Sequence, residues 1–89
     1  MNFEWDPNKA RSNKAKHDVT FEEATEVFGV QHPSTVADPD HSHDKERFLI
    51  FGRTRPGRYL VIAFTERSDR IRLISARQMT RRERQAYEQ

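Results

Sequence analysis

The stretch R-Y-L-V-I-A-F-T-E, residues 58–66, carries apolar side chains on both of its alternating sets: Tyr59, Val61 and Ala63 on one, Leu60, Ile62 and Phe64 on the other. Side chains alternate between the faces of a strand, so a run that is apolar on both is expected at the centre of a sheet, covered on each side. Two further strand-like runs flank it, residues 47–53 and 70–76. The links T-R-P-G and R-S-D are short enough for hairpins, which predicts an antiparallel meander of three strands. Alternation in the third strand places Ile71, Leu73, Ser75 and Arg77 together, with Arg70, Arg72, Ile74 and Ala76 opposite.

Upstream of this meander, Phe3-Glu4-Trp5 reads as a brief strand, and Asp6-Pro7 as a helix start with Asp6 as N-cap. That helix runs to about His17; it is polar and is expected to lie loosely on the surface. Thr20 and Glu23 are spaced as a capping box for a second helix, whose Phe21, Ala24, Val27 and Phe28 share a face and which stops at Gly29. Residues 33–45 read as a loop, with a short strand at 35–37. Thr80 and Glu83 form a second capping box, opening a terminal helix that ends near Tyr87. The order β-α-α-β-β-β-β-α describes one α+β domain spanning residues 1–89.

Composition narrows the functional classes. With 34% hydrophobic and 34% charged residues the chain is polar, but its apolar residues are clustered, which argues against disorder. There is no cysteine, hence no disulfide framework and no thiolate metal site. No stretch approaches the roughly 20 apolar residues of a membrane span, and the N-terminus lacks an apolar run, so a cytoplasmic protein without membrane attachment is expected. The net charge of +2 conceals an asymmetry: residues 1–44 hold four Lys/Arg against nine Asp/Glu, and residues 45–89 hold twelve against five. The second half therefore presents a local positive field that suits a polyanion, RNA first, or else simply a solubilising surface.

Arg70, Arg72, Arg77, Arg81, Arg82 and Arg84 fall within fifteen positions of the C-terminal strand and helix, with Tyr87 just beyond. The guanidinium fork fits a phosphate with two hydrogen bonds. Arg77 at the strand's end can reach an adjacent cleft, or pair with Glu66 or Glu83. Arg81, Arg84 and Tyr87 share a helix face and form either a ridge that meets nucleotides or a solvated surface. Glu66 closes the central strand as a salt-bridge partner or a general base, the latter weakened by neighbouring positive charge. His17, after Lys16, is a proton shuttle or a cation favoured by the helix C-terminus. Asp38, Asp40, His41, His43 and Asp44 resemble a metal cluster, but a loop does not fix ligand geometry, and a metal site is disfavoured.

These residues also carry a family likeness. F-E-W-D-P-N-K-A-x-x-N-x-x-K-H-x-V-x-F-E-E-A at residues 3–24, D-P-D-H-S at 38–42, E-R-F at 46–48, and I-S-A-R with E-R-x-A-Y at 74–87 together resemble the BrnT toxin family over nearly the whole chain. The resemblance implies a RelE-like fold: a curled antiparallel sheet with two N-terminal helices on one face and a short C-terminal helix. It implies a type II toxin, a ribonuclease acting on mRNA without metal or other cofactor. It further implies a BrnA-like ribbon-helix-helix antitoxin that inhibits it, in a heterotetramer that binds operator DNA through the antitoxin.

In such enzymes the RNA 2′-hydroxyl attacks the adjacent phosphate and leaves a cyclic phosphate. The chemistry asks for a proton acceptor, cations for the extra charge on phosphorus, and a proton donor for the leaving oxygen. Arg77 and Arg81 are the expected cations, helped by Arg53 or Arg84. His17, Glu66 and Glu83 compete as acceptor, with Tyr87 or His17 as donor. Arg53, Arg72, Arg84 and Lys16 are the expected RNA contacts. The C-terminal segment has no histidine, which departs from histidine-dependent relatives, so a simple histidine mechanism requires His17 to fold back into the cleft. A non-catalytic nucleic-acid-binding or partner-binding module is the alternative.

Overall fold

The computed structural model describes residues 1–29, 34–38 and 47–89. Five strands form one sheet: β1 (Asn2–Glu4), β2 (Ser34–Ala37), β3 (Arg47–Arg53), β4 (Tyr59–Arg67) and β5 (Arg70–Gln78), in the order β1-β5-β4-β3-β2. The central position expected for residues 58–66 is realised, and β3, β4 and β5 form the expected antiparallel meander. The sheet as a whole is mixed rather than antiparallel, because β1 pairs parallel with β5 along Arg70, Ile71 and Arg72.

Helix α1 (Pro7–His17) starts where the local chemistry predicts. The Asp6 carboxylate accepts a hydrogen bond from the Asn8 N–H at 2.8 Å, Pro7 opens the first turn, and Asp18 ends the helix in the left-handed region at φ 57°. The helix is not loosely held. Its Asn13 is only 5% exposed and is bonded to β5, as described below. The second helical segment divides into α2 (Phe21–Thr25) and a 3-10 turn (Glu26–Gly29). Only half of its expected capping box forms. Thr20 Oγ accepts from the Glu23 N–H at 3.0 Å, whereas the Glu23 carboxylate turns to Arg58 at 3.0 Å. Arg58 also donates to the Asp18 carbonyl at 2.9 Å, tying the start of β4 to the helices.

The core lies between these helices and one face of the sheet. Val19, Phe21, Ala24 and Val27 pack with Ile50, Leu60, Ile62, Phe64, Leu73 and Ala76, all buried. Phe3, Phe28, Phe64 and Phe48 continue it as successive ring contacts with centroids 5.1 to 5.7 Å apart. Gly52 is required by close approach: a Cβ there would stand 2.5 Å from Val27 Cγ1. Helix α3 (Arg81–Tyr87) opens with the full capping box expected at Thr80 and Glu83.

Candidate active site

The register of β5 against β4 shifts between Ala63 and Phe64: Ala63 pairs with Ser75, but Phe64 pairs with Leu73. Ile74 is therefore a β-bulge, one extra residue on β5, and it inverts the alternation beyond it. Leu73 and Ala76 face the core, while Ser75 and Arg77 join Ala63 and Val61 on the other face of the sheet. The simple alternation that grouped Ile71 and Leu73 with Ser75 and Arg77 is corrected by this one residue. It moves Arg77 out of line with the core and onto a polar cleft of about 190 Å³ that it shares with Ser75, Asp38, Arg47 and Leu49. Asp38 and Arg47 form an ion pair at 3.2 Å beside it.

Arg77 is clamped. Its two terminal nitrogens donate to the two Glu83 carboxylate oxygens at 2.7 and 2.9 Å, and Nη1 also reaches the Gln78 carbonyl at 3.2 Å. Glu83 in turn accepts from the Thr80 N–H at 2.9 Å as the reciprocal half of the capping box. The Arg77 guanidinium, seconded by the Thr80 amide, holds the Glu83 carboxyl down to about 2, and the same pairing raises the Arg77 pKa. Glu83 is thus an ionised carboxylate and a poor proton acceptor. It fixes where the guanidinium points, and leaves one edge of the fork for another anion.

The same helix brings an aromatic pair to this face. Tyr87 meets Tyr59 edge to face at 6.0 Å, the Arg84 guanidinium stands 4.1 Å over the Tyr59 ring, and Arg53 lies 5.5 Å from that ring. Tyr59 was not among the residues singled out from the sequence. Its signal was its place two residues before Val61 in β4, on the same face as the Val61–Arg77 pair. Between α3 and the β2–β3 edge opens a cavity of about 550 Å³, lined by Ser34, Phe51, Glu83, Ala86, Tyr87 and Gln89.

Across β5 lies a second groove, between its edge and α1. β1 pairs with β5 only as far as Arg72, and beyond that Asn13 takes over the edge. The Asn13 amide donates to the Ala76 carbonyl at 2.8 Å and accepts from the Ala76 N–H at 2.9 Å, as a neighbouring strand would, and donates to the Val19 carbonyl at 2.9 Å. Ala76 is held between Ser75 and Arg77, so Asn13 anchors the bulged segment. His17 lines this groove with Lys9, Ser12, Lys16, Ile74 and Ser75. Ser75 is common to the His17 groove and the Arg77 cleft.

Other expected participants are placed elsewhere. Glu66 is exposed at the far end of β4, on the alternate set shared with Phe64, and makes no ion pair among the described residues. Arg72 and Arg70 are held by Glu4 at 3.0 and 3.3 Å, and Arg72, then Arg70, lower the Glu4 pKa. Arg81 is exposed in the first turn of α3. Of the acidic and histidine loop, Asp40, His41, His43 and Asp44 lie outside the described residues; Asp38 is buried against Arg47.

Residues 5–83 match the family described as the ribonuclease toxin, BrnT, of type II toxin-antitoxin systems. The crystal structure of the Brucella abortus ribonuclease toxin, BrnT, superposes with a TM-score of 0.67 at 21% identity, covering 91% of this chain and 99% of that one. At that identity the likeness shows a shared α+β fold. No curated protein matches the chain.

Proposed function

Because the chain belongs to the BrnT family of ribonuclease toxins of type II toxin–antitoxin systems, we propose that it is an endoribonuclease that cuts mRNA without metal on the cationic face of its sheet. The fold is proposed to be of the RelE-like kind. The observation that carries this reading is the bulge at Ile74, which turns Arg77 onto the face occupied by Arg53, Tyr59, Arg84 and Tyr87.

The scissile phosphate is assigned to the free edge of Arg77, which is already aimed by Glu83 and need not reorganise when charge develops on phosphorus. Arg81, helped by Arg84 and Arg53, supplies further positive charge. An RNA base stacks on the exposed parts of the tyrosine pair. The 2′-oxygen bonds to phosphorus as its proton passes to the acceptor, and the bond from phosphorus to the 5′-oxygen breaks. That oxygen takes a proton from Tyr87, and the products are a 2′,3′-cyclic phosphate and a 5′-hydroxyl. Among the three acceptors, Glu66 is at the wrong end of the sheet and Glu83 is too acidic. His17, which lines the groove that shares Ser75 with the Arg77 cleft, is assigned the role. Arg72 and Lys16 contact the flanking chain.

The partner is proposed to be a BrnA-like ribbon-helix-helix antitoxin, joined in a heterotetramer that binds operator DNA. Its acidic or apolar segment would cover Arg77 and Arg81 to inhibit the toxin. A co-purified complex that leaves both open to solvent would rule out direct occlusion.

The test is incubation of the purified protein with RNA, with and without EDTA. Cleavage that persists in EDTA, yields cyclic phosphate ends and disappears in Arg77→Ala is expected. His17→Ala is expected to lower the cleavage rate with RNA binding retained. Intact RNA with tight, salt-sensitive binding would instead make the protein a binding module.

A further inference from the structure

The charge asymmetry between the two halves of the chain hides a local exception. Helix α1 lies in the acidic half, yet from Pro7 to His17 it contains Lys9, Arg11, Lys14, Lys16 and His17 and no carboxylate. Two of these cations are engaged: Lys14 pairs with Asp18, and Arg11 with Asn8. Lys9 and Lys16 form no ion pair among the described residues. They stand two helical turns apart, with Ser12 between them, along the groove of about 240 Å³ that α1 makes with Ile74 and Ser75. Among the described residues, no acidic side chain lines that groove.

We infer that this groove holds the phosphates of the RNA chain next to the scissile one, with Lys9 and Lys16 as the gripping cations; the inference rests on the reading of the Arg77 cleft as the nuclease site. Continuity supports it, since Ser75 lines both the groove and the cleft, and a strand lying across Arg77 passes over the β5 edge into Lys16 and Lys9. Composition favours RNA over a protein partner. The groove face of α1 presents lysines, a serine and a histidine, and Met1 and Val36 are the only exposed large hydrophobics among the described residues, neither on α1. Protein interfaces are anchored by buried aromatic or aliphatic side chains, whereas nucleic-acid interfaces are polar and positively charged.

The experiment is fluorescence anisotropy of the full chain with a labelled single-stranded 2′-O-methyl RNA, which cannot be cut, across a salt series. Lys9→Ala/Lys16→Ala keeps good helix formers at exposed positions, so the helix is preserved. Each lost phosphate contact on a single strand lowers the slope of log K against log salt by about 0.7, so the pair lowers it by about 1.4. Arg55→Ala/Arg67→Ala removes the same charge from the β3–β4 turn and the far end of β4, and is expected to leave the slope as in the wild type. Equal losses in both double variants would reduce the effect to overall charge and overturn the proposal. So would an unchanged slope in Lys9→Ala/Lys16→Ala, above all if that variant binds its antitoxin more weakly, which would give the groove to the protein partner. RNA held with the expected slope change but left intact when its 2′-hydroxyls are free would sink the nuclease reading and leave the groove standing. A wild type that does not bind RNA would end both.

Discussion

On the helix-bearing face of the sheet, Leu60, Ile62 and Phe64 are sealed beneath α2 and the 3-10 turn, with Gly52 cut down to admit Val27. One residue away in sequence, Tyr59, Val61 and Ala63 look the other way, toward arginines, a tyrosine pair and open clefts. Both faces of β4 are apolar, and Val61 and Ala63 are only 3% and 4% exposed. What separates the faces is the covering layer: helices bring apolar side chains to one, while β3, β5 and α3 bring guanidinium groups to the other. Burial is nearly equal on the two sides, so the candidate site's side is distinguished by the chemistry above the strand rather than by exposure of the strand itself.

The contrast breaks first where the core is deepest. Leu60→Ala should lower the unfolding free energy by about 2–5 kcal/mol, as expected for deleting a fully buried leucine, with RNA cleavage per folded molecule preserved. Denaturant titration and a cleavage assay corrected for folded fraction measure the two. Arg77→Ala should do the reverse: cleavage falls about 10²–10³-fold, a barrier increase of about 3–4 kcal/mol, while stability changes by less than about 1 kcal/mol. A stability loss in Arg77→Ala as large as that in Leu60→Ala would mean that the second face is a core too, and the division would collapse.

Much of this contrast can be read from residue order. The alternation in 58–66 places its strand at the centre, the short links dictate the hairpins, and Asp6-Pro7 and Thr80-x-x-Glu83 mark two helix starts by chemistry within a single turn. What stayed hidden depends on partners distant in sequence. The bulge at Ile74 has no glycine or proline to announce it in R-I-R-L-I-S-A-R; its phase is set by pairing with β4. The parallel pairing of β1 joins Asn2 to Arg70, so no local pattern can show it. Glu23 leaves its capping box because Arg58, far along the chain, competes for the carboxylate. A polar α1 reads as loosely held because it has few apolar residues to bury, whereas its anchor is the Asn13 amide. The clustering of arginines marks a candidate region, but only the bulge and the Glu83 clamp put Arg77 on the cleft, while Glu4 holds Arg72.

Asn13 holds the β5 edge, where the two faces meet, and so sharpens the comparison. Asn13→Ala deprives the Ala76 N–H and two carbonyls of their partner at a buried site, a loss of about 1–3 kcal/mol. It also frees the segment that carries Ser75 and Arg77. Thermal unfolding should shift down, and cleavage per folded molecule should fall as well, unlike in Leu60→Ala. Hydrogen exchange at Ala76 is the direct reading. If exchange there is as slow as in the wild type, the bulge is held by β4 alone.

The smallest effect belongs to the Arg77–Glu83 pair and appears only in acid. Folding lowers the Glu83 carboxyl from 4.5 to about 2, so the folded chain binds fewer protons than the unfolded one across that interval. The stabilisation is whole above pH 4.5 and is lost as the pH falls toward 2. Both partners are partly exposed, and solvent screening reduces the gain to about 1 kcal/mol. Glu83→Gln keeps a side chain able to reach the Thr80 amide but has no proton to lose, so its acid unfolding curve should be flatter by that amount between pH 4.5 and 2. Equal slopes in the two proteins would mean that the clamp orients Arg77 without stabilising the fold. That outcome would place the pair wholly on the functional side, since a carboxylate that contributes nothing to folding and still fixes a guanidinium acts through position alone.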